Sequence, residues 1–305
     1  LALRGHTSIQ GSTDVPTLYN LLPGYLPQPH AFKPHETFAQ YCEVEQNPTG
    51  WWHNFPKYAT SLLRAWYGEA ATPQNEWGYG WLPRIVGDHS QLPMTLAMDK
   101  GLIRGLFVLG QNPAVGGHNA HLVHRALGKL EWLVVRDIDE TETASFWRTG
   151  PDVRAGRLRP QDIGTEVFLM QWHDAVVTPP GDNRSELWFI DQLARRLKAR
   201  YAASDDAKDA PLRNLTWDYP TDARGEPDAE AVLKEINGYT WADRRPVSSY
   251  KDLRDDGTTA CGVWIYSGVY PADGDNRARA REPDGPDGPG SHPGWGFAWP
   301  GNQRT

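Results

Sequence analysis

The sequence predicts an α/β fold carried by a parallel sheet, and three observations predict it. Residues 105–110, GLFVLG, make a short apolar run of the kind found in a strand buried on both faces. Two further runs, EWLVVRD at 131–137 and EVFLM at 166–170, repeat that signature. Between the first two lie a turn, QNPAVGG, and a helical pattern, HNAHLVHRALGKL. Strand, glycine-bearing turn, helix and strand together form a βαβ unit, which requires parallel pairing and a right-handed crossover.

The remaining elements follow along the chain. Residues 15–60 read as mostly irregular, because the prolines of LLPGYLPQPHAFKP break any long helix. YATSLLRAWYG predicts a helix with Leu62, Leu63 and Trp66 on one face, ended by Gly68. In the helix of the βαβ unit, Leu122, Ala126 and Leu127 point inward. A longer helix runs from about Ser185 to Tyr201 with an apolar stripe of Leu187, Ile190, Leu193, Leu197 and Tyr201. AEAVLKEINGY is a shorter helix that stops at Asn237 and Gly238, and CGVWIYSGVY, 261–270, reads as a strand. Residues 272–296 are too polar and too rich in glycine and proline for a core element. There is no internal repeat.

Composition narrows the classes. The 305 residues can bury a sizeable core as one or two domains, and the net charge of -7 has no polybasic block, which argues against nucleic acid as a partner. The two cysteines, Cys42 and Cys261, are far apart and hold no zinc site, iron–sulfur cluster or disulfide framework by themselves; a single bridge between them stays open. No apolar run reaches membrane-spanning length. Fourteen tryptophans, 25 prolines and 30 glycines point to long irregular segments pinned by large rings.

Several residues could carry chemistry. A turn between a buried strand and a helix collects backbone N–H groups, and phosphate binds well there. Asp137, at the end of the next strand, can accept two N–H bonds from a guanine edge or meet a ribose. The plainer reading is that Asn112-Pro113 and Gly116-Gly117 only make a tight turn, since the spacing is not GxGxxG. Arg4 offers a rigid donor fork for a carboxylate and His6 can move protons near neutral pH; otherwise both are surface residues. His118, His121 and His124 share helical spacing, but no carboxylate pattern completes a metal site, so a solvated or turn-capping role is expected. RARAR, 277–281, reads as a solvated loop or a docking contact with another subunit.

Taken together, LRGHTSIQGSTD, NLLPGYL, GLFVLGQNPAVGG, LVVRDIDETETASFW, RSELWFIDQLARRL, LRDDGTTACGVWIYSGVY and GWGFAWPGNQR resemble the catalytic subunit of molybdenum- or tungsten-dependent formate dehydrogenases, over essentially the whole chain. The resemblance implies two molybdopterin guanine dinucleotides holding Mo or W, with electrons passed to a 4Fe–4S cluster and an iron–sulfur partner subunit. It implies the Rossmann-like domain of the molybdopterin oxidoreductase fold over 1–170, and over 171–305 an irregular α+β extension preceding a C-terminal β-barrel. Arg4 would hold the formate carboxylate, with His6 beside it, and Gly5, Gln10 and Gly11 would line the pterin. Gly110, Gln111, Asn112, Pro113, Gly116 and Gly117 would cradle a guanine dinucleotide. Asp137 would read the guanine, and Thr141 and Thr143 would add hydroxyl contacts.

Three departures accompany the resemblance. The family's N-terminal region carries the four cluster cysteines and the selenocysteine or cysteine that ligates the metal, and neither Cys42 nor Cys261 fits that role. The β-barrel domain is not in the sequence. A segment rich in Gly, Thr and Asn that the family has between FLM and QWH is absent, so Met170 meets Gln171 directly. The chain is therefore expected to be the middle piece of a longer subunit, with Met170–Gln171 joining across missing residues. The expected activity is reversible oxidation of formate to CO2. The alternatives are another molybdopterin reductase, of nitrate or sulfur compounds, or a non-catalytic subunit that keeps the fold. The compartment, cytoplasmic or exported, stays open.

Overall fold

The computed structural model describes Val15 and residues 19–137, 139–171 and 184–270. Contacts divide the chain into two compact units. One holds Gly87–Phe189; the other holds the described residues up to Val86 and from Ile190 onward.

The unit of 87–189 carries the predicted βαβ pattern. Its elements are α1 (Gln91–Asp99), β1 (Gly105–Leu109), α2 (Pro113–Gly116), α3 (Ala120–Leu127), β2 (Trp132–Asp137), α4 (Glu142–Thr149), α5 (Pro151–Arg154) and β3 (Glu166–Gln171). The three strands form one parallel sheet in the order β1-β2-β3. Phe107, Val134 and Phe168 lie in one cross-strand row, and Val108, Val135 and Leu169 in the next. Because side chains alternate along a strand, the two rows face opposite ways.

One face of this sheet is the core. Val108, Leu133 and Val135 bury themselves against Val123, Ala126 and Leu127 of α3 and Phe146 of α4. Each such side chain is worth about 1.5–3 kcal/mol of apolar burial. The inward set Leu122, Ala126 and Leu127 is buried as expected, and Asn119 caps α3 by accepting from the Leu122 amide at 3.2 Å. The opposite face corrects the expectation of strands buried on both sides. Phe107 is 45% exposed and Phe168 46%, and Leu109 on the same face is exposed as well. Only β2, flanked by both neighbours, is largely buried. An apolar run reports hydrophobicity, not how many of its faces are covered.

Gln171 continues β3 in register, opposite Asp137. The backbone therefore passes through Met170–Gln171 as an unbroken strand.

The second unit is built around the helix Phe55–Tyr67. It starts three residues earlier than its sequence pattern shows, and Gly68 ends it at φ 50°. Leu62 and Leu63 are buried, with Trp66 partly so. Aromatic rings do much of the packing. Trp264 stacks on Tyr58 with centroids 4.1 Å apart and planes 5° from parallel, and Tyr41 meets both Phe55 and Tyr79 at 5.1 Å. Gly24, at φ 74°, lies so close to Trp264 that a Cβ would come within 2.4 Å of the ring.

Three expectations for this unit are revised. Residues 261–270 do not form a strand: pairing is confined to Thr259–Ala260 with Tyr239–Thr240, and Trp264–Tyr266 is a single 3₁₀ turn. The run is apolar because it is buried, and short buried runs do not declare their backbone. The region before residue 60 contains a helix, Phe38–Glu45, opened by a Thr37/Gln40 capping box. The helix Glu186–Tyr201 does not bury its apolar stripe: Ile190 and Leu197 are exposed, and its buried residue is Asp191, bonded by Arg195 and by the Trp217 indole at 2.7 and 2.9 Å. The helix Ala229–Asn237 ends where expected, at Gly238 with φ 89°. Cys42 and Cys261 are buried free thiols, so no bridge joins them.

Candidate functional site

Parallel neighbours end on the same sheet edge, so the connection after β1 and the connection after β2 emerge side by side. Leu109 pairs with Arg136, and the Gly110 amide donates to the Arg136 carbonyl at 3.0 Å. Gly110 turns the chain with φ 60°. Pro113 opens the single turn of α2, where its missing N–H costs nothing. The structure thus brings Gly110, Gln111, Asn112 and Pro113 beside Asp137, Thr141 and Thr143 on one rim. Asp137 is half-buried at the end of β2.

Hydrogen bonds cross the rim from one connection to the other. The Thr143 amide and hydroxyl both donate to Asn112 Oδ1, at 3.1 and 2.8 Å. The Ala114 amide donates to Thr143 Oγ1 at 3.1 Å, and Asn112 Nδ2 donates to Glu142 Oε2 at 2.6 Å. An amide N–H can only donate, so the Thr143 N–H fixes which end of the Asn112 side chain is oxygen. The bond from Asn112 holds the Glu142 carboxyl below its ordinary range.

A second network lies under α2. Asp152, buried on α5, accepts from His121 Nδ1 at 2.6 Å, from His124 Nδ1 at 2.8 Å and from Arg157 Nε at 2.7 Å. The other ring nitrogen of His124 faces the Ala114 carbonyl at 3.0 Å. Burial raises the Asp152 pKa, but the bonds from Arg157, His121 and His124 outweigh it and leave it below the usual range. The expectation of solvated histidines fails for His124, which is buried and braces α2 against α5, whereas His118 and His121 are exposed as expected, His121 being bonded to Asp152 as well. Among the described residues no three His, Cys, Asp or Glu side chains converge to hold a metal.

Two predicted glycines differ in role. A Cβ on Gly117 would sit 2.5 Å from the Pro113 carbonyl and 2.9 Å from Val123, so packing alone requires glycine there. A Cβ on Gly116 would meet nothing within 4 Å. Thr141 Oγ1 is buried without a hydrogen-bond partner, although Thr141 is the N-cap residue of α4. An orphaned hydroxyl of this kind costs stability unless something meets it. A cavity of about 510 Å³ opens between α2 and α4, lined among others by His124, Glu142, Ser145 and Arg154. In the other unit a cleft of about 900 Å³ is lined by Arg64 and Trp241, where Arg64 is committed to the Gly68 and Ala71 carbonyls and to Glu69.

Arg4, Gly5, His6, Gln10 and Gly11 lie outside the described residues, as does the RARAR run. Sequence reading missed Asp152 and Glu142. Glu142 sits directly between the named site residues Thr141 and Thr143 inside DETETAS, whereas Asp152 has no local signal, its histidine partners being 28 and 31 residues away.

No protein-family model matches the chain. Three curated relatives align with nearly all of it. The chain is 32% identical to "Formate dehydrogenase, nitrate-inducible, major subunit" of Escherichia coli over 100% of its own length and 33% of the relative's. It is 33% identical to "Formate dehydrogenase 2 subunit alpha (cytochrome c-553)" of Nitratidesulfovibrio vulgaris, over 99% of its length and 32% of the relative's. It is 34% identical to "Formate dehydrogenase subunit alpha" of Megalodesulfovibrio gigas, over 99% and 33%. The chain spans about a third of the length of the curated relatives it matches. The match to the Escherichia coli protein extends over 341 residues against 305 in this chain.

Proposed function

Because the chain belongs to the family of formate dehydrogenase major subunits, we propose that it is the part of such a subunit that seats one guanine dinucleotide of a molybdenum or tungsten pterin centre. The observation that carries this reading is the rim. Two βα connections converge on one sheet edge and present a left-handed glycine, the backbone amides of Gln111 and Asn112, a half-buried carboxylate and the orphaned Thr141 hydroxyl. That donor set fits a pyrophosphate and a guanine edge. The backbone amides of Gln111 and Asn112 meet the phosphates, Asp137 accepts from the guanine, and the bound dinucleotide supplies the partner that the Thr141 hydroxyl lacks. On this reading 1–170 is the dinucleotide-binding part and 171–305 an extension toward a β-barrel domain.

When bound, the metal–pterin group would supply two-electron redox chemistry, with a 4Fe–4S cluster and an iron–sulfur partner subunit as the acceptors this reading expects. The chain's own residues bind and orient. Arg4 pairs its guanidinium fork with both oxygens of formate, which fixes the direction of the C–H bond. His6 holds or releases a proton beside it. Positioning of this kind is worth several kcal/mol, on the order of 10³-fold in rate or more.

The test is formate oxidation by the whole subunit with an artificial electron acceptor. Arg4→Lys keeps the charge and loses the fork, so turnover should fall at least 10²-fold with metal content unchanged. Equal kinetics for the variant would remove Arg4 from the site.

A further inference from the structure

The side chains of Asn112 and Thr143 have little bonding capacity left for a ligand. Asn112 Oδ1 has two lone pairs and accepts twice, from the Thr143 amide and hydroxyl. One Nδ2 hydrogen goes to Glu142. The Thr143 hydroxyl gives its hydrogen to Asn112 and accepts from the Ala114 amide. Thr143 is fully buried. The Asn112 backbone carbonyl is also committed, accepting from the amides of Val115 and Gly116 at 3.1 and 2.8 Å.

We propose that Asn112, Thr143 and Glu142 form a clamp that locks the two βα connections into one rigid rim, and that they position the dinucleotide seat without touching the dinucleotide through their side chains. This rests on the reading that the rim binds a guanine dinucleotide. The clamp sets the spacing between the α2 turn and the first turn of α4. It also turns the Glu142 carboxylate away, onto the Asn112 amide, at a place where a free carboxylate would repel phosphate. The groups left to meet the ligand are the backbone N–H groups of Gln111 and Asn112 and the Thr141 hydroxyl. Since the clamp closes through neutral donors on one side and a carboxylate on the other, its polarity can be reversed.

The experiment is a charge swap in the whole subunit, read in two ways. Asn112→Asp keeps both acceptances from Thr143 but sets a carboxylate against Glu142; adding Glu142→Gln gives that carboxylate an amide donor. The first readout is GMP released by acid hydrolysis, per subunit. The second is hydrogen exchange of the amides of Ala114 and Thr143 in protein stripped of cofactor. The expected result is that N112D halves the GMP and speeds both amides at least tenfold together, while N112D/E142Q restores GMP and protection to within twofold of wild type. If N112D does not fold, recovery of folded, GMP-loaded protein in the double variant gives the same answer. A double variant no better than N112D, or an N112D protein with unchanged exchange, overturns the clamp. Normal exchange behaviour with no GMP in any form, wild type included, sinks the dinucleotide reading and leaves the clamp standing.

Discussion

The two compact units solve the burial problem with different materials. The unit around Phe55–Tyr67 packs rings on rings: Tyr41, Tyr58, Tyr79 and Trp264 are buried, and short irregular segments are held by them. The unit of 87–189 packs aliphatic side chains under a parallel sheet and leaves Phe107 and Phe168 on its other face exposed. Its connections are fixed by polar latches, the Asn112–Thr143–Glu142 clamp and the Asp152 network. The difference teaches where adjustability can sit. Large rings hold loops at little entropic cost, whereas the hydrogen-bond latches fix the spacing of two connections by engaging their backbone N–H groups directly.

The largest effect should come from breaking the aromatic unit. Trp264→Ala removes the stack on Tyr58 and the bond from its indole to the Gly24 carbonyl at 2.7 Å. A loss of about 3–5 kcal/mol is expected, read as faster hydrogen exchange along Phe55–Tyr67. Next comes the latch under α2. Asp152→Asn keeps the shape but removes the charge and turns one of the two oxygens that accept from three donors into an amide donor, and about 2 kcal/mol should be lost, seen as faster exchange in α2 and α3 with little change along Phe55–Tyr67.

The units should also answer pH with opposite signs. Asp152 has a folded pKa below its unfolded value, about 3.9. Its contribution is present above that value and is lost as pH falls through the folded pKa, so α2 and α3 loosen in acid. Glu235 in the other unit is pushed up to about 7, first by burial and then by the neighbouring Asp218 carboxylate, against the Tyr219 hydrogen bond. Its folded pKa exceeds its unfolded value of about 4.3. That contribution is complete below the unfolded value and is lost as pH rises through about 7, at a cost on the order of 2 kcal/mol. Denaturant melts at pH 5 and 8 should show this unit weakening, and Glu235→Gln should flatten the slope. The smallest effect is expected on the uncovered sheet face: Phe107→Thr should change stability by about 0.5 kcal/mol or less while lowering binding of an apolar fluorescent dye.

What sequence could show follows the range of the interactions. The βαβ unit was legible because periodicity is local, and so were the helix stops at Gly68 and Gly238, where a positive φ is needed. The Thr37/Gln40 capping box was equally local, though masked by the surrounding prolines. The sheet's uncovered face was not legible, since nothing in GLFVLG says which neighbour is missing. Nor were the latches: Asn112 and Thr143 are 31 residues apart, and each alone is an ordinary polar residue at a helix start. The motifs drew attention to both residues as ligands of a cofactor, while only their mutual geometry shows how fully each is bonded within the protein.

The measurement closest to the centre of this account is the guanine nucleotide content of the purified whole subunit. Acid hydrolysis should release two GMP per subunit from wild type and one from a folded Asp137→Ala variant. A wild-type subunit that releases none, or a variant that releases as much as wild type, would contradict the assignment of this sheet edge.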